Sequence, residues 1–289
     1  METEHPLQAT FSRVKELSEY VKVELGTPTD AGWVEPPALF TPSSEKMNTL
    51  MVNMQKRLKT KSTRIVGSSL LQAYNWPLIA ASIACYLVDK RVPDLSVSNI
   101  RVQFSDEEEV TALAFHVGRF AALPSDPAAF HPDAQVVPDI AALRACLRSG
   151  FETHFGWVIT QIEQQVGAKP KGLWLDVADL CASILIWFMQ DQDPKIDPEL
   201  IKQEIDSLIR EPDSPLNHKK IGLFTLTYAG KTEAYLDRLS CCYWYRWEES
   251  EGKYCTTCPK VPKAERKERL LQYMIEAHEK AESGETEKH

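Results

Sequence analysis

Four of the seven cysteines of this chain lie within one short stretch near its end. Cys241 and Cys242 are adjacent, twelve residues follow, and Cys255 and Cys258 form a C-x-x-C closed by Pro259. Four thiolates fill every protein ligand position of an all-cysteine metal centre. A [2Fe–2S] centre takes two thiolates per iron, so neighbouring residues can serve separate irons. Cys255 and Cys258 have the spacing that lets one tight turn present two sulfurs, and Pro259 stiffens the exit without leaving an N–H unsatisfied. Structural zinc ordinarily uses two C-x-x-C-like knuckles around a tetrahedron. This chain offers one knuckle and a Cys–Cys pair, whose side chains point to opposite faces of an extended segment. A disulfide between neighbours needs a strained ring. A redox C-x-x-C usually opens a helix in a thioredoxin-like setting, whereas this one sits in a polar loop. Ligand geometry favours iron–sulfur, with zinc and thiol redox as the alternatives.

The C-C-x12-C-x2-C pattern, preceded by Arg238-Leu239-Ser240, resembles the FhuF family of ferric-siderophore reductases. Two further pieces support the resemblance and extend it over residues 65–260. They are Leu70-Leu71-Gln72-Ala73-Tyr74-Asn75-Trp76-Pro77 and Arg91-Val92-Pro93-Asp94-Leu95-Ser96. The resemblance implies that Cys241, Cys242, Cys255 and Cys258 bind a [2Fe–2S] cluster. It also implies a cytoplasmic oxidoreductase that reduces a ferric siderophore by one electron and frees Fe(II). The implied partners are the ferric siderophore and a small electron donor, a ferredoxin or flavin reductase. The spacer is two residues longer than the family commonly has. The extra length falls in the polar turn Glu248-Glu249-Ser250-Glu251-Gly252-Lys253, which lengthens at little entropic cost. It leaves the ligand assignment intact and reshapes the rim of the cluster. Two other functions stay open: an iron–sulfur electron carrier to a protein partner, and a zinc-stabilised binding module.

Composition narrows the field. The net charge of −8 argues against a nucleic-acid binder, which would carry a basic stripe. There is no Gly-rich phosphate loop, so no nicotinamide or flavin site is expected. Met1-Glu2-Thr3-Glu4-His5-Pro6 lacks the basic region and apolar run of a signal peptide. The longest apolar stretch, Trp76 to Val88, is too short to span a bilayer. No transmembrane segment and a cytoplasmic location follow as expectations, in a compartment where thiols stay reduced. Cys85, Cys146 and Cys181 lie in apolar segments and read as core packing.

The elements that must hold the cysteines are mostly helical. Leu7, Phe11, Val14, Leu17 and Val21 repeat at helical spacing, in a helix ending near Gly26. Residues 27–42, rich in Pro and Thr, read as a linker or an arm across the surface. Ser43 or Ser44 caps a helix with Met47, Leu50, Met51, Met54 and Leu58 on one face. That stripe reads as core, with a flexible apolar binding groove as the minority reading. Ser62–Tyr74 and Pro77–Val88 are expected as two helices parted at Trp76-Pro77. Asn99–Phe104 and Val110–His116 alternate around an acidic turn and predict a hairpin. Leu123–Pro138 reads as irregular. Ile140–Val166 predicts a helix, kinked at Gly156, and Trp174–Met189 a central one. Asp197-Pro198 starts another. Leu223–Tyr228 and Ala234–Leu239 predict strands joined at Gly230, Cys241–Trp247 continues extended, and Glu265–Lys280 predicts a terminal helix with a polar tail from Ala281.

The expected fold is α+β and predominantly α-helical: a helical body with a small β element and a C-terminal cluster-binding segment. Residues 1–215 form the siderophore-binding body, with an N-terminal arm over 1–60, and residues 216–289 form the [2Fe–2S]-binding segment. Arg238, Arg246, Lys253 and Lys260 stand close enough in sequence to offset cluster charge, and Tyr243, Trp244, Tyr245 and Trp247 to screen it from water. For an anionic chelate the candidate cations are Lys90, Arg91, Arg101, Arg119, Arg144, Arg148, His116 and His154. Trp157 and Trp174 are candidates for an apolar wall. The substrate-binding residues are not assigned from sequence.

Overall fold

The computed structural model describes residues 4–105 and 109–283. The readings made at Met1–Thr3, at the acidic turn 106–108 and over the tail from residue 284 lie outside them. His5 caps the first helix, α1 (Pro6–Leu17), by accepting the N–H of Leu7 on Nδ1 at 3.1 Å. Leu7, Phe11 and Val14 are buried along it. The helix stops at Leu17, short of the expected Gly26, because Val23–Leu25 leaves as a strand, β1. The arm that follows is partly ordered: β2 (Trp33–Val34) and the short α2 (Pro36–Leu39) bring Leu39 and Phe40 into the core.

Ser44 caps α3 (Glu45–Arg57), its hydroxyl accepting the N–H of Met47. The next helix, α4 (Thr63–Asp89), runs unbroken through Pro77, where the sequence predicted two helices. Proline inside a helix costs about 3 kcal/mol and leaves the carbonyl four residues back without its donor. Burial outweighs that. Leu70, Leu71, Leu78, Ile79 and Ile83 are all buried along α4, and each buried Leu or Ile contributes about 1.5–3 kcal/mol.

The chain then forms β3 (Arg91–Pro93), β4 (Ile100–Phe104), β5 (Val110–Phe115), β6 (Phe120–Ala122) and β7 (Ala134–Val136). The predicted hairpin is β4–β5, antiparallel, with Val102 opposite Leu113. It is the centre of a four-stranded sheet ordered β1-β5-β4-β2, with β1 parallel to β5. The tract expected to be irregular contributes β7, parallel to β6 in a second sheet ordered β3-β6-β7.

Three helices complete the body: α5 (Ile140–Val166), continuous through Gly156, α6 (Pro170–Gln192) and α7 (Pro198–Ile209), the last capped by Asp197. α6 is long and apolar enough to cross a membrane by length and composition. It packs instead against α4, α5 and α7 as the central helix, with Val177, Ala178, Cys181, Leu185 and Phe188 fully buried. Cys85 is equally buried and Cys146 partly so. The chain ends in an antiparallel pair, β8 (Gly222–Tyr228) and β9 (Lys231–Asp237), turning at Ala229-Gly230, and in α8 (Lys263–Ser283). β9 lies on α6 and β8 on α8. The protein is thus predominantly α-helical α+β, as predicted.

Candidate metal centre

β9 delivers the chain to the cysteine pair, and two acids of α6 receive it. Asp237 is held by Lys263 at 2.6 Å and Arg266 at 2.9 Å, tying the end of β9 to α8. Two residues on, Leu239 donates its N–H to Asp179 Oδ2 at 2.9 Å, and Ser240 donates to the same oxygen. One turn earlier on α6, Asp176 accepts from Ser68 Oγ at 2.5 Å and from Gln72 Nε2 at 3.3 Å. Gln72 Nε2 also reaches the Cys241 carbonyl at 3.3 Å. Helices α4 and α6 therefore grip the backbone at and just before Cys241. Burial pushes the Asp176 carboxyl up to about 7 and Asp179 upward as well, with the Arg238 guanidinium opposing both.

The run Cys241–Trp247, which the sequence predicted to continue extended, is instead turned. Tyr243 adopts a left-handed backbone (φ 56°), followed by 3₁₀ turns at Trp244–Arg246 and Glu248–Ser250. The turn folds the Tyr243 N–H back onto Cys241 Sγ at 3.4 Å. It also brings Cys242 Sγ to 3.6 Å from Cys255 Sγ. Cys255 and Cys258 lie on one tight turn, the Cys258 N–H donating to the Cys255 carbonyl at 3.1 Å. All four cysteines are free thiols; Cys258 is buried and the others are half-buried. The sulfur–sulfur contact between Cys242 and Cys255 lowers Cys242 to about 5 and pushes Cys255 up correspondingly. Cys241 in turn is raised by burial, with Cys258 and Cys242 adding to the effect.

The arrangement separates the metal chemistries. One tetrahedral zinc with bonds of about 2.3 Å would hold all four sulfurs about 3.8 Å apart. Among the described residues no three cysteine sulfurs lie within 4.8 Å of one another. The close sulfur pair, Cys242 and Cys255, suits a centre that takes two thiolates per iron, and thiolate is the donor such a centre takes. The donor set fits a [2Fe–2S] group.

Beside Cys242 opens a groove of about 570 Å³. Leu50, Met54 and Arg57 of α3 form one wall, Ser69, Gln72 and Trp76 of α4 another, and Trp244 and Trp247 a third. Arg57 lies flat on the Trp247 ring at 3.6 Å and pairs with Glu109 at 3.6 Å, so its charge is balanced. The Ser69 hydroxyl and the Trp247 indole N–H are buried without a partner. Leu50 and Met54 belong to the methionine stripe. Met47 and Leu50 bury as core, while Leu50 and Met54 also line the groove.

Of the cations near the cysteines in sequence, Arg238 sits where it acts on Cys242, Cys255 and both acids. Lys260 lies over the Tyr245 ring, Arg246 bonds the Leu58 carbonyl, and Lys253 pairs with Glu251 at the surface. The more distant candidates are engaged elsewhere. Arg91 holds Asp126, Arg119 holds Asp94, Arg144 holds Glu204, and Arg148 approaches Glu152 and Glu211. His116 meets Thr27, Arg101 the Pro28 carbonyl, and Lys90 the Leu87 carbonyl. His154 is a core residue bridging the Tyr74 hydroxyl and the Leu95 carbonyl. Trp157 and Trp174 pack against the core. None of these lines the groove. A second constellation, His5, His131 and Asp133, is compact enough for a cation. But His5 Nδ1 accepts the Leu7 N–H, which puts the proton of the neutral ring on Nε2, facing Asp133 at 3.1 Å. His5 then has no lone pair left for a metal, and the group pins the start of α1.

The family model described as "Ferric iron reductase FhuF-like transporter" matches residues 68–235. The model described as "FhuF 2Fe-2S C-terminal domain" matches residues 238–260. No curated protein matches the chain.

Proposed function

The chain belongs to the FhuF-like family of ferric iron reductases and carries its [2Fe–2S] C-terminal domain; from that premise we propose that it reduces ferric siderophores in the cytoplasm by one electron and releases Fe(II). One observation carries the proposal: Cys242 is at once a member of the thiol quartet and part of the groove wall. A chelate seated in the groove is therefore next to the metal centre.

Cys242 and Cys255, whose sulfurs already lie 3.6 Å apart, would hold the cluster together with Cys241 and Cys258. When bound, the [2Fe–2S] group supplies electrons singly. The residues do the rest. Trp76, Trp244 and Trp247 bind the organic shell of the chelate and exclude water, while the unpartnered Ser69 hydroxyl orients it. Hard oxygen donors hold Fe(III) far more tightly than Fe(II), so the electron itself loosens the iron. Residues 1–215 supply α3 and α4 to the groove, and the segment from 216 supplies the cysteines. A ferredoxin or flavin reductase provides the electron. The free thiols of Cys85, Cys146 and Cys181 support a reducing compartment.

The test is anaerobic. Dithionite-reduced protein is mixed with a neutral ferric trihydroxamate, and Fe(II) is trapped by a chelating dye. The expected result is one Fe(II) for each cluster reoxidised. A reduced cluster that persists in the presence of the chelate overturns the proposal.

A further inference from the structure

Charge is unevenly spread along this chain. The whole carries −8, yet from Lys46 to Val88 there are six Lys and Arg and no Asp or Glu. Five of the six fall between Lys56 and Arg64, at the corner where α3 turns into α4. Lys56, Lys59, Lys61 and Arg64 are exposed there. Among the described residues, Lys56, Lys59 and Lys61 have no ion-pairing carboxylate.

The corner is fastened to the cysteine loop. Arg246 Nη1 donates to the Leu58 carbonyl at 3.2 Å, Arg57 stacks on Trp247, and Arg64 lies against the Tyr243 hydroxyl. All three contacts reach residues within five positions of Cys242. Lys59 holds a left-handed backbone, φ 48°, a conformation that favours glycine and penalises any side chain. Between the lysines the surface dips into a hollow of about 420 Å³, lined by Val52, Gln55, Lys56, Lys59, Thr60 and Lys61. Val52 is 46% exposed in it. This hollow shares no lining residue with the groove at Cys242.

Unpaired like charges at one corner repel each other and do nothing for the fold. They attract a partner of opposite sign and speed its encounter. A small apolar spot ringed by lysines suits the limited, short-lived contacts through which redox proteins meet. We infer that the Lys56–Arg64 corner is the docking surface for an acidic one-electron carrier protein, of the iron–sulfur or flavin kind. The inference rests on the proposed function, in which the reducing equivalent comes from outside the chain. The carrier gives up one electron, the metal centre takes it, and no bond forms or breaks. Because the two hollows are separate, carrier and chelate can be held at once.

The test uses cluster-loaded protein and a reduced acidic [2Fe–2S] ferredoxin in anaerobic stopped flow, at low and at high salt. The wild-type rate is expected to fall about tenfold or more as salt rises. The triple variant Lys56→Gln/Lys59→Gly/Lys61→Gln is expected to be about tenfold slower at low salt and nearly salt-independent. Glycine at 59 relieves the backbone, and equal bleaching by dithionite shows an intact cluster, so misfolding does not explain the loss. Lys219→Gln/Lys220→Gln, an exposed pair elsewhere, is expected to behave as wild type. Equal rates and salt slopes for wild type and triple variant overturn the inference, as does equal slowing by the control pair. Lysine-dependent binding to phosphatidylglycerol–phosphatidylcholine vesicles with unchanged ferredoxin kinetics also overturns it, in favour of a membrane contact. The chelate assay involves no carrier, so its failure counts against the proposed function alone.

Discussion

Asp179, buried in α6, accepts the backbone N–H of Leu239 at 2.9 Å, two residues before Cys241, the first cysteine of the candidate metal site. The same oxygen takes the N–H of Ser240. Removing it orphans a buried donor at Ser240, at about 1–3 kcal/mol, and a half-buried one at Leu239. Asp179→Ala is expected to lower the melting temperature and to reduce iron per chain by about half or more. Asp179→Asn keeps an acceptor oxygen and should retain most of the iron. Iron and acid-labile sulfide assays on both variants, with thermal unfolding, check this.

Alanine at Cys241, Cys242, Cys255 or Cys258 is expected to abolish the visible spectrum of the cluster. Alanine at Cys85, Cys146 or Cys181 is expected to preserve it, because those thiols pack among apolar side chains. An unchanged spectrum in any of the first four removes that residue from the ligand set.

Asp176 gives a pH dependence of definite sign. Burial raises its folded value to about 7, above the 3.8 of an ordinary aspartate, so the folded state holds a proton that the unfolded state has released. The stabilisation is complete below about pH 4 and is lost as pH rises through 7. Between pH 6 and 8.5 the protein should lose about 1–2 kcal/mol, a few degrees of melting temperature. Asp176→Asn, which imitates the neutral form, should flatten that slope. A variant that melts with the same pH dependence as wild type assigns the effect elsewhere.

Groove and cluster are separable by mutation. Trp76→Leu trims the α4 wall without touching a cysteine. It is expected to raise the KM for a ferric trihydroxamate about tenfold, equivalent to about 1.4 kcal/mol, with the cluster spectrum and kcat little changed. Steady-state kinetics alongside the absorption spectrum decide it.

The two closely spaced cysteine pairs were legible in the sequence because residue type and spacing are written there. So were the caps at Ser44 and Asp197 and the β4–β5 hairpin, all local signals. What escaped was non-local. Trp76-Pro77 reads as a break until the burial around it is known. Val23–Leu25 is a strand because β5 lies beside it. The groove joins α3, α4 and residues 242–247, which no single stretch of sequence displays. Asp176 and Asp179 had a signal that went unused. Two acids one turn apart in an otherwise apolar helix are expensive unless something donates to them, and here Ser68, Gln72 and the backbone before Cys241 do.

The 3.3 Å link from Gln72 to the Cys241 carbonyl spans 169 positions of chain. A ribosome makes α4 and α6 long before it makes the thiols, and folding tends to follow synthesis. Gln72 and Asp179 are thus in place as a cradle when the cysteine loop emerges. Maturation of the metal centre then becomes a late step, in which iron is delivered to a loop already tethered at one end.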